Sequence, residues 1–186
     1  MSGVIKQITA NEITFTAVEE ATNGSVIGTN NVDAFSVSDD INTENQVTAN
    51  EILFSNITSV NGGGDTDTIT GSLLWDLLST GFQASDISFT GIETVNSVVG
   101  GTLNGTASAD QFTLGSDNQV KVQSNTIIFN NIAAVTAGEG DDEIVGASDQ
   151  AWQLSGVNKQ ITANNIEFTA VEEATNGTVI GTTLAD

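Results

Sequence analysis

SGVIKQITANEITFTAVEEATNGSVIGT (residues 2–29) returns as SGVNKQITANNIEFTAVEEATNGTVIGT (residues 155–182), shifted by 153 positions with four substitutions. A shorter period lies inside this long one, because the related segments ITANEITFTAV, VTANEILFSNI, QASDISFTGI, VQSNTIIFNNI and ITANNIEFTAV recur about every 39 positions. Self-similarity on this scale is typical of solenoids, in which each unit buries its apolar edge only against its neighbours. Each segment carries one phenylalanine: Phe15, Phe54, Phe89, Phe129 and Phe168.

The residues between these phenylalanines favour strands. Apolar residues alternate in short runs, β-branched residues and glycine are common, proline is absent, and no segment sustains a helical apolar stripe. The segment SLLWDLLS (72–79) is interpreted as a strand and a turn, because its equivalents in other repeats resemble strands. The second half of each complete repeat carries a further aromatic, expected to be buried: Phe35, Trp75, Phe112 and Trp152.

We therefore predict an all-β fold, a parallel β-helix (β-solenoid) with about two coils per 39-residue repeat. Nine or ten coils would give a rod roughly 45 Å long, with the five phenylalanines stacked in a single file. The alternative is a string of small β-sandwiches, but such modules need about 100 residues each. The chain is predicted to be one solenoid fragment of a longer protein, with repeats at about 1–40, 41–80, 81–115, 116–156 and, incomplete, 157–186.

The charge balance restricts the partners. Three lysines, no arginine and no histidine face 24 carboxylates, for a net charge of −21. Nucleic acids and anionic membranes are bound mainly through lysine and arginine, so neither is expected as a partner, whereas cations are. No apolar run is long enough to cross a membrane, and without cysteine the chain has no disulfides and no thiolate metal sites.

Three segments resemble the β-strand repeats of large secreted bacterial proteins, a loose group that overlaps the filamentous haemagglutinin-like adhesins. They are FSNITSVNGGGDTDTITG (54–71), FTGIETVNSVVGGTLNGTASADQFTLG (89–115) and FNNIAAVTAGEGDDEIVG (129–146). The resemblance covers nearly the whole chain. It implies an extracellular or cell-surface location in a bacterium and a role as a stalk or adhesive filament.

Two Gly-rich turns also resemble the RTX nonapeptide G-G-x-G-x-D-x-U-x, whose turns bind calcium between coils. GGGDTDTIT (62–70) and AGEGDDEIV (137–145) each depart from it at one glycine position, and each stands singly instead of recurring at every ninth position. Calcium prefers six to eight oxygen ligands. The resemblance therefore implies candidate calcium ligands at Asp65 and Asp67 in the first turn and at Asp141, Asp142, Glu139 and Glu143 in the second, against the alternative of solvated acidic turns.

Other acidic residues recur with the repeat. Asp33 and Asp110 each stand two residues before a core phenylalanine and are expected to cap a turn. The pairs Glu19-Glu20 and Glu172-Glu173 are expected to form a solvated edge, not the paired carboxylates of a glycosidase. Because histidine, arginine and cysteine are absent, no catalytic residues are assigned and an enzyme is not expected.

The function expected from the sequence is that of a structural or adhesive repeat segment. Its candidate partners are further copies of itself, joined end to end into fibres, and a surface or glycan receptor. One alternative is a calcium-responsive module. Another is a carbohydrate- or ice-binding face, suggested by Thr14-Phe15-Thr16 and Thr66-Asp67-Thr68-Ile69-Thr70.

Overall fold

The computed structural model describes residues 7–10, 12–38, 45–123 and 126–181. These ranges contain twenty strands and no helix, hence no helix suited to crossing a bilayer. The strands are β1 (Gln7–Ala10), β2 (Ile13–Thr16), β3 (Glu20–Ile27), β4 (Ala34–Val37), β5 (Val47–Ala49), β6 (Ile52–Asn61), β7 (Thr68–Gly71), β8 (Leu74–Leu77), β9 (Phe82–Ala84), β10 (Ile87–Thr90), β11 (Thr94–Asn104), β12 (Gln111–Leu114), β13 (Val120–Val122), β14 (Ile127–Thr136), β15 (Glu143–Val145), β16 (Ala151–Leu154), β17 (Gln160–Ala163), β18 (Ile166–Thr169), β19 (Glu173–Thr175) and β20 (Thr178–Ile180).

Parallel pairing between successive turns confirms the predicted β-solenoid, which has about five turns. One run of parallel neighbours is β4, β7, β11 and β14, in which Phe35, Ile69, Val95 and Phe129 lie in register. A second run is β8, β11, β14 and β18, which aligns Trp75, Leu103, Val135 and Phe168. These files of apolar side chains form the interior of the solenoid.

Four long strands join two sheets. The first half of β11 pairs with β7 and its second half with β8, so the strand leaves one sheet and enters the other. Strands β3, β6 and β14 bend in the same way, with register shifts recorded in the β3–β6 and β11–β14 pairings. Left-handed backbone marks these corners at Asn23, Asn56, Gly100 and Asn131, where asparagine and glycine tolerate a positive φ.

Antiparallel strands complete each turn. The chain runs β4–β5–β6 as a folded-back meander within one sheet, which we call the first sheet. It runs β8–β9–β10 as a similar meander within the other, which we call the second sheet. The pattern then repeats with β12–β13–β14 in the first sheet and β16–β17–β18 in the second. Each repeat thus contributes one such three-stranded antiparallel meander, which we call a fold-back. Successive fold-backs alternate between the two sheets.

The predicted coil count is wrong. Thr94 pairs with Thr68, and Thr68 pairs with Ala34, so parallel partners lie 26 and 34 positions apart in the sequence (94 − 68 and 68 − 34), not about 20. One 39-residue repeat therefore makes about one turn instead of two. The turn is longer than predicted because it includes the antiparallel middle strand of a fold-back, which a purely parallel coil lacks.

The single file of phenylalanines is also wrong. Phe54 pairs with Ala21, Phe89 with Val60, Phe129 with Val95 and Phe168 with Val135, so no phenylalanine lies over its equivalent in the previous repeat. Phe54 and Phe129 lie in the first sheet, whereas Phe89 and Phe168 lie in the second. The alternation follows from the fold-backs, because each of these phenylalanines is the third residue of the last strand of a fold-back. The side chain of Phe15 lies outside the described part.

An aromatic cluster joins the two sheets at the centre of the core. Phe129 of the first sheet contacts Phe82 and Trp75 of the second, with ring centroids 5.3 and 6.2 Å apart in edge-on geometry. Phe82 also stacks on Phe89 at 5.4 Å. The aromatics expected to be buried are buried, with Phe35, Trp75, Phe112 and Trp152 at most 3 % exposed, and residues 74–77 form a strand as predicted.

Candidate functional site

Three acidic residues form a ladder across the turns that lead into β4, β7 and β11. The backbone N–H of Asp33 donates to Asp67 Oδ1 (2.7 Å), and the backbone N–H of Asp67 donates to Glu93 Oε2 (2.8 Å). Asp33 closes its own turn, because its Oδ2 accepts from the N–H (2.6 Å) and hydroxyl (2.9 Å) of Thr29. We call Asp33, Asp67 and Glu93 the first ladder.

The same arrangement recurs at the turns that lead into β12, β15 and β19. The N–H of Asp110 donates to Asp142 Oδ1 (2.7 Å), and the N–H of Asp142 donates to Glu172 Oε2 (2.9 Å). Asp110 Oδ2 accepts from the N–H and hydroxyl of Thr106 at 2.6 and 2.9 Å. The expected turn-capping role of Asp33 and Asp110 agrees with these bonds. Asp110, Asp142 and Glu172 are the second ladder.

The middle carboxylate of each ladder is fully buried. Asp67 and Asp142 have no exposed surface, and the second oxygen of each, Oδ2, has no hydrogen-bond partner. Burial raises the pKa of both carboxyl groups above the ordinary value of 3.8, and the neighbouring acids Asp33 and Asp110 add to the rise. The N–H donated by the preceding acid opposes this rise. A buried oxygen without a partner is costly when ionised, which is the physical cause of the raised pKa.

The second ladder ends in an ion pair between Lys159 and Glu172. The hydrogen bond and charge of Lys159 lower the pKa of Glu172, which keeps this carboxylate ionised beside Asp142. The sequence places the Glu172-Glu173 pair at a solvated edge, but in the structure Glu172 is an acceptor for the backbone of the neighbouring turn. Glu93 has the same role in the first ladder.

The structure brings only part of the predicted calcium-site set into the ladders. Asp67 and Asp142 are the buried centres, whereas Asp65, Asp141 and Glu139 are exposed. Asp65 Oδ1 accepts from the N–H of Thr66 within its own turn (2.9 Å). Glu143 accepts from Gln111 Nε2 (2.7 Å) and from the hydroxyl of Thr175 (2.9 Å) on neighbouring strands. Within the described ranges, no group of three or more acidic side chains has a geometry suited to a metal ion.

Sequence reasoning did not identify Glu93 and Glu172 as partners of these aspartates. A signal was present, since every ladder residue stands two positions before a residue of an inward-facing apolar file: Phe35, Ile69, Val95, Phe112, Ile144 or Ala174. The spacing places each acid at the start of its strand. In neighbouring turns these strand starts lie directly side by side.

The outward side of the first sheet carries mixed polar residues. Ser36, Thr70, Asn96 and Asn130 lie in register on β4, β7, β11 and β14, and Asn130 Nδ2 donates to Asn96 Oδ1 (2.9 Å). A flat carbohydrate- or ice-binding face requires threonine on each strand of such a file. Here threonine occupies one position of the four, so the geometry gives this alternative no support.

Comparison with family models, with curated proteins and with solved structures found no match to this chain.

Proposed function

We propose that this chain is a structural repeat segment, a stalk, filament or matrix element, of a large secreted or cell-surface bacterial protein. The observation that carries the proposal is the repetition of backbone pairing between the two copies of the long repeat. In β1–β2, Gln7 pairs with Thr16 and Ile8 with Phe15, and in β17–β18 the same registers join Gln160 to Thr169 and Ile161 to Phe168. A unit that reproduces its own geometry gives a spacer whose length is set by the number of units.

The strand layers give the length added by one unit. From β3 to β19 the first sheet passes through β6, β5, β4, β7, β11, β14, β13, β12 and β15, which makes ten interstrand steps. At about 4.8 Å per step the unit is roughly 48 Å long. Since the interior is filled with apolar side chains along this path, the spacer is expected to be stiff.

The test is to lengthen the chain by one unit. A variant with a second copy of residues 30–182 inserted after residue 182 should gain roughly 48 Å in length with an unchanged cross-section, measured by small-angle X-ray scattering. A matched control carries a glycine-serine segment of equal length at the same place and should gain a flexible tail instead. Growth of the repeat variant in cross-section instead of length would reject the spacer role.

The location is tested separately. An antibody raised against the folded chain should label the outer surface or the surrounding matrix of intact producing cells, without permeabilisation. Labelling only after permeabilisation would reject the extracellular assignment and leave the spacer geometry untouched.

A second candidate function is a spacer that stiffens when cations bind, and the net charge of −21 favours it. Two carboxylates about 5 Å apart repel by about 0.8 kcal/mol even in water, so cations near the surface relieve the repulsion between turns. Calcium at millimolar concentration should raise the melting temperature more than magnesium or sodium at equal ionic strength. Equal melting curves with calcium and with a chelator would exclude specific calcium binding at Asp67, Asp142 and their neighbours.

A further inference from the structure

Within the described part of the chain, the hairpin β1–β2 pairs with no third strand. Its equivalent in the second copy of the long repeat, β17–β18, is held on both sides, by β16 next to β17 and by β14 next to β18. The next strands along the chain, β19 and β20, lie on β15 and β16. The structure thus contains one segment in its docking site and a nearly identical segment outside such a site. We call residues 7–28 the N-terminal copy, residues 160–181 the C-terminal copy, and the edges of β14, β15 and β16 the docking site.

The substitutions between the copies leave the buried contacts with this docking site unchanged. Three of the four fall within the copies, at Asn165, Glu167 and Thr178, where the N-terminal copy has Glu12, Thr14 and Ser25, and all three C-terminal side chains are exposed. The buried residues of the C-terminal copy are unchanged in the N-terminal copy. They are Ala163, Ile166, Phe168 and Val171, which match Ala10, Ile13, Phe15 and Val18.

The polar contacts of the docked segment are also retained in sequence. Asn164 donates to the carbonyl oxygen of Gly115, Thr175 donates to Glu143, and Glu172 accepts from the N–H of Asp142. The N-terminal copy has Asn11, Thr22 and Glu19 at these positions. A second molecule could therefore supply the buried side chains and these polar groups of the docking site from its N-terminal copy.

The contact between the hairpin and the rest of its own chain is loose. A cavity of 590 Å³ lies between β1 and β3, lined by Ile8, Val26, Phe35 and Ile57 among others. Ile27, which also lines this cavity, is 77 % exposed. Apolar groups around an open gap lack the dispersion contacts that close packing provides, so little holds the hairpin β1–β2 in this position, whereas β3 stays paired with β6.

We propose that two molecules of this chain join by segment exchange, in which the N-terminal copy of one molecule replaces the C-terminal copy in the docking site of the other. The joined product is a continuous solenoid, because β3 of the incoming molecule then pairs with β15 and β16 on one edge and with its own β6 on the other. Repetition of the step gives an open head-to-tail fibre. The inference rests on the proposed spacer function and gives a mechanism for the end-to-end association that the sequence leads us to expect.

The N-terminal copy of one molecule and the C-terminal copy of another compete for one docking site. The exchanged fraction therefore depends on the protein concentration. The C-terminal copy is tethered next to the docking site, which corresponds to an effective concentration on the order of 1 mM. The contacts are nearly the same in both arrangements, so refolding at about 1 mM protein should exchange about half of the sites. At about 10 µM the exchanged fraction should be about 1 %.

Cysteines provide the test, since the natural chain has none. Ala134 and Glu167 are partners on the outward side of β14 and β18, and Thr14 is the equivalent of Glu167 in the N-terminal copy. The variant Thr14→Cys/Ala134→Cys, unfolded and refolded at about 1 mM before oxidation, should give a series of disulfide-linked dimers and larger species on a non-reducing gel. Neighbouring strands are about 4.8 Å apart, within the range that a disulfide spans.

Two matched variants serve as controls. Ala134→Cys/Glu167→Cys, oxidised when dilute, locks the C-terminal copy in its site and should remain monomeric when concentrated. Thr14→Cys/Thr102→Cys moves the second cysteine one strand away, from β14 to the paired position on β11, and should not give the series of linked species. Thr16→Cys/Thr136→Cys is a second reporter on the same strands, for use if the first variant fails to refold.

The outcomes separate the mechanisms. Disulfide-linked species that appear only with the reporter pairs and increase with refolding concentration support exchange. Exchange is overturned if no disulfide-linked species form at the highest concentration, or if the Thr102→Cys variant gives equal amounts of them. It is also overturned by oligomers that lack the reporter disulfide, because these indicate that intact ends stack on each other. None of these outcomes changes the scattering profile of the lengthened chain, so the spacer role stands or falls independently.

Discussion

Removal of the Phe129 ring tests whether the two sheets pack as described. Phe129 is fully buried and its ring contacts Phe82 and Trp75 across the core. Replacement of a buried phenylalanine by alanine costs about 3–5 kcal/mol, from lost transfer free energy and the cavity left behind. For a chain of this length each kcal/mol lowers the melting temperature by about 2–4 °C, so Phe129→Ala should melt roughly 6–20 °C lower. Thermal unfolding followed by circular dichroism measures this shift.

A double-mutant cycle makes the test specific to the arrangement of the sheets. Phe82→Ala combined with Phe129→Ala should reveal a coupling of about 0.5–1.5 kcal/mol, because the two rings meet edge to face. Phe54 lies in the same sheet as Phe129 but five interstrand steps away, roughly 24 Å, so Phe54→Ala should be additive with Phe129→Ala within about 0.5 kcal/mol.

The surface variant Val99→Ala, at a residue 84 % exposed, should leave stability within about 0.5 kcal/mol of the natural chain. A loss below about 1 kcal/mol for Phe129→Ala, or strong coupling between Phe54 and Phe129, would refute the two-sheet core.

Two further predictions concern the ladders and the close turns. Because the folded pKa values of Asp67 and Asp142 are raised, their contribution to stability is complete below about pH 3.8 and is lost as the pH rises through the folded values. The variant Asp67→Asn/Asp142→Asn should therefore lose less stability between pH 4 and pH 7 than the natural chain, measured by urea unfolding at each pH, whereas a parallel pH dependence would contradict the assignment. At Gly105 an added Cβ would lie 1.8 Å from the carbonyl oxygen of Ala137, so Gly105→Ala should cost at least about 2 kcal/mol. Gly100 has φ +91° and open space around it, so Gly100→Ala should cost only about 1–2 kcal/mol from backbone strain.

The sequence was sufficient to predict the fold class, since its information lies in local patterns. The alternation around Ile87 and Phe89 predicted strands, and the recurrence of the pattern predicted turns stacked on one another. The sequence did not show that β5 and β9 run antiparallel to their neighbours. These strands have the same alternating composition as the parallel ones, and strand direction depends on which loops reverse the chain, which composition does not encode.

The ladders were only half predicted for a related reason. Asp67 and Asp142 are recognisable in the sequence because they stand in Gly-rich turns that resemble a known calcium motif. Glu93 and Glu172 stand in turns without that motif. Their role depends on the register between neighbouring turns, which the wrong coil length concealed. With the longer turn that the structure shows, Asp67 and Glu93 precede adjacent strands although they stand 26 positions apart in the sequence.

The alternation of the fold-backs between the two sheets restricts how a gene for such a protein can grow or shrink. Loss or gain of a single repeat would bring together two fold-backs that belong to the same sheet and leave the opposite sheet with a gap. Only even numbers of repeats preserve the order of strands in both. The nearly identical long unit contains four short repeats, as this parity rule requires. Recombination between repeats one step out of phase should therefore yield chains that cannot complete their sheets.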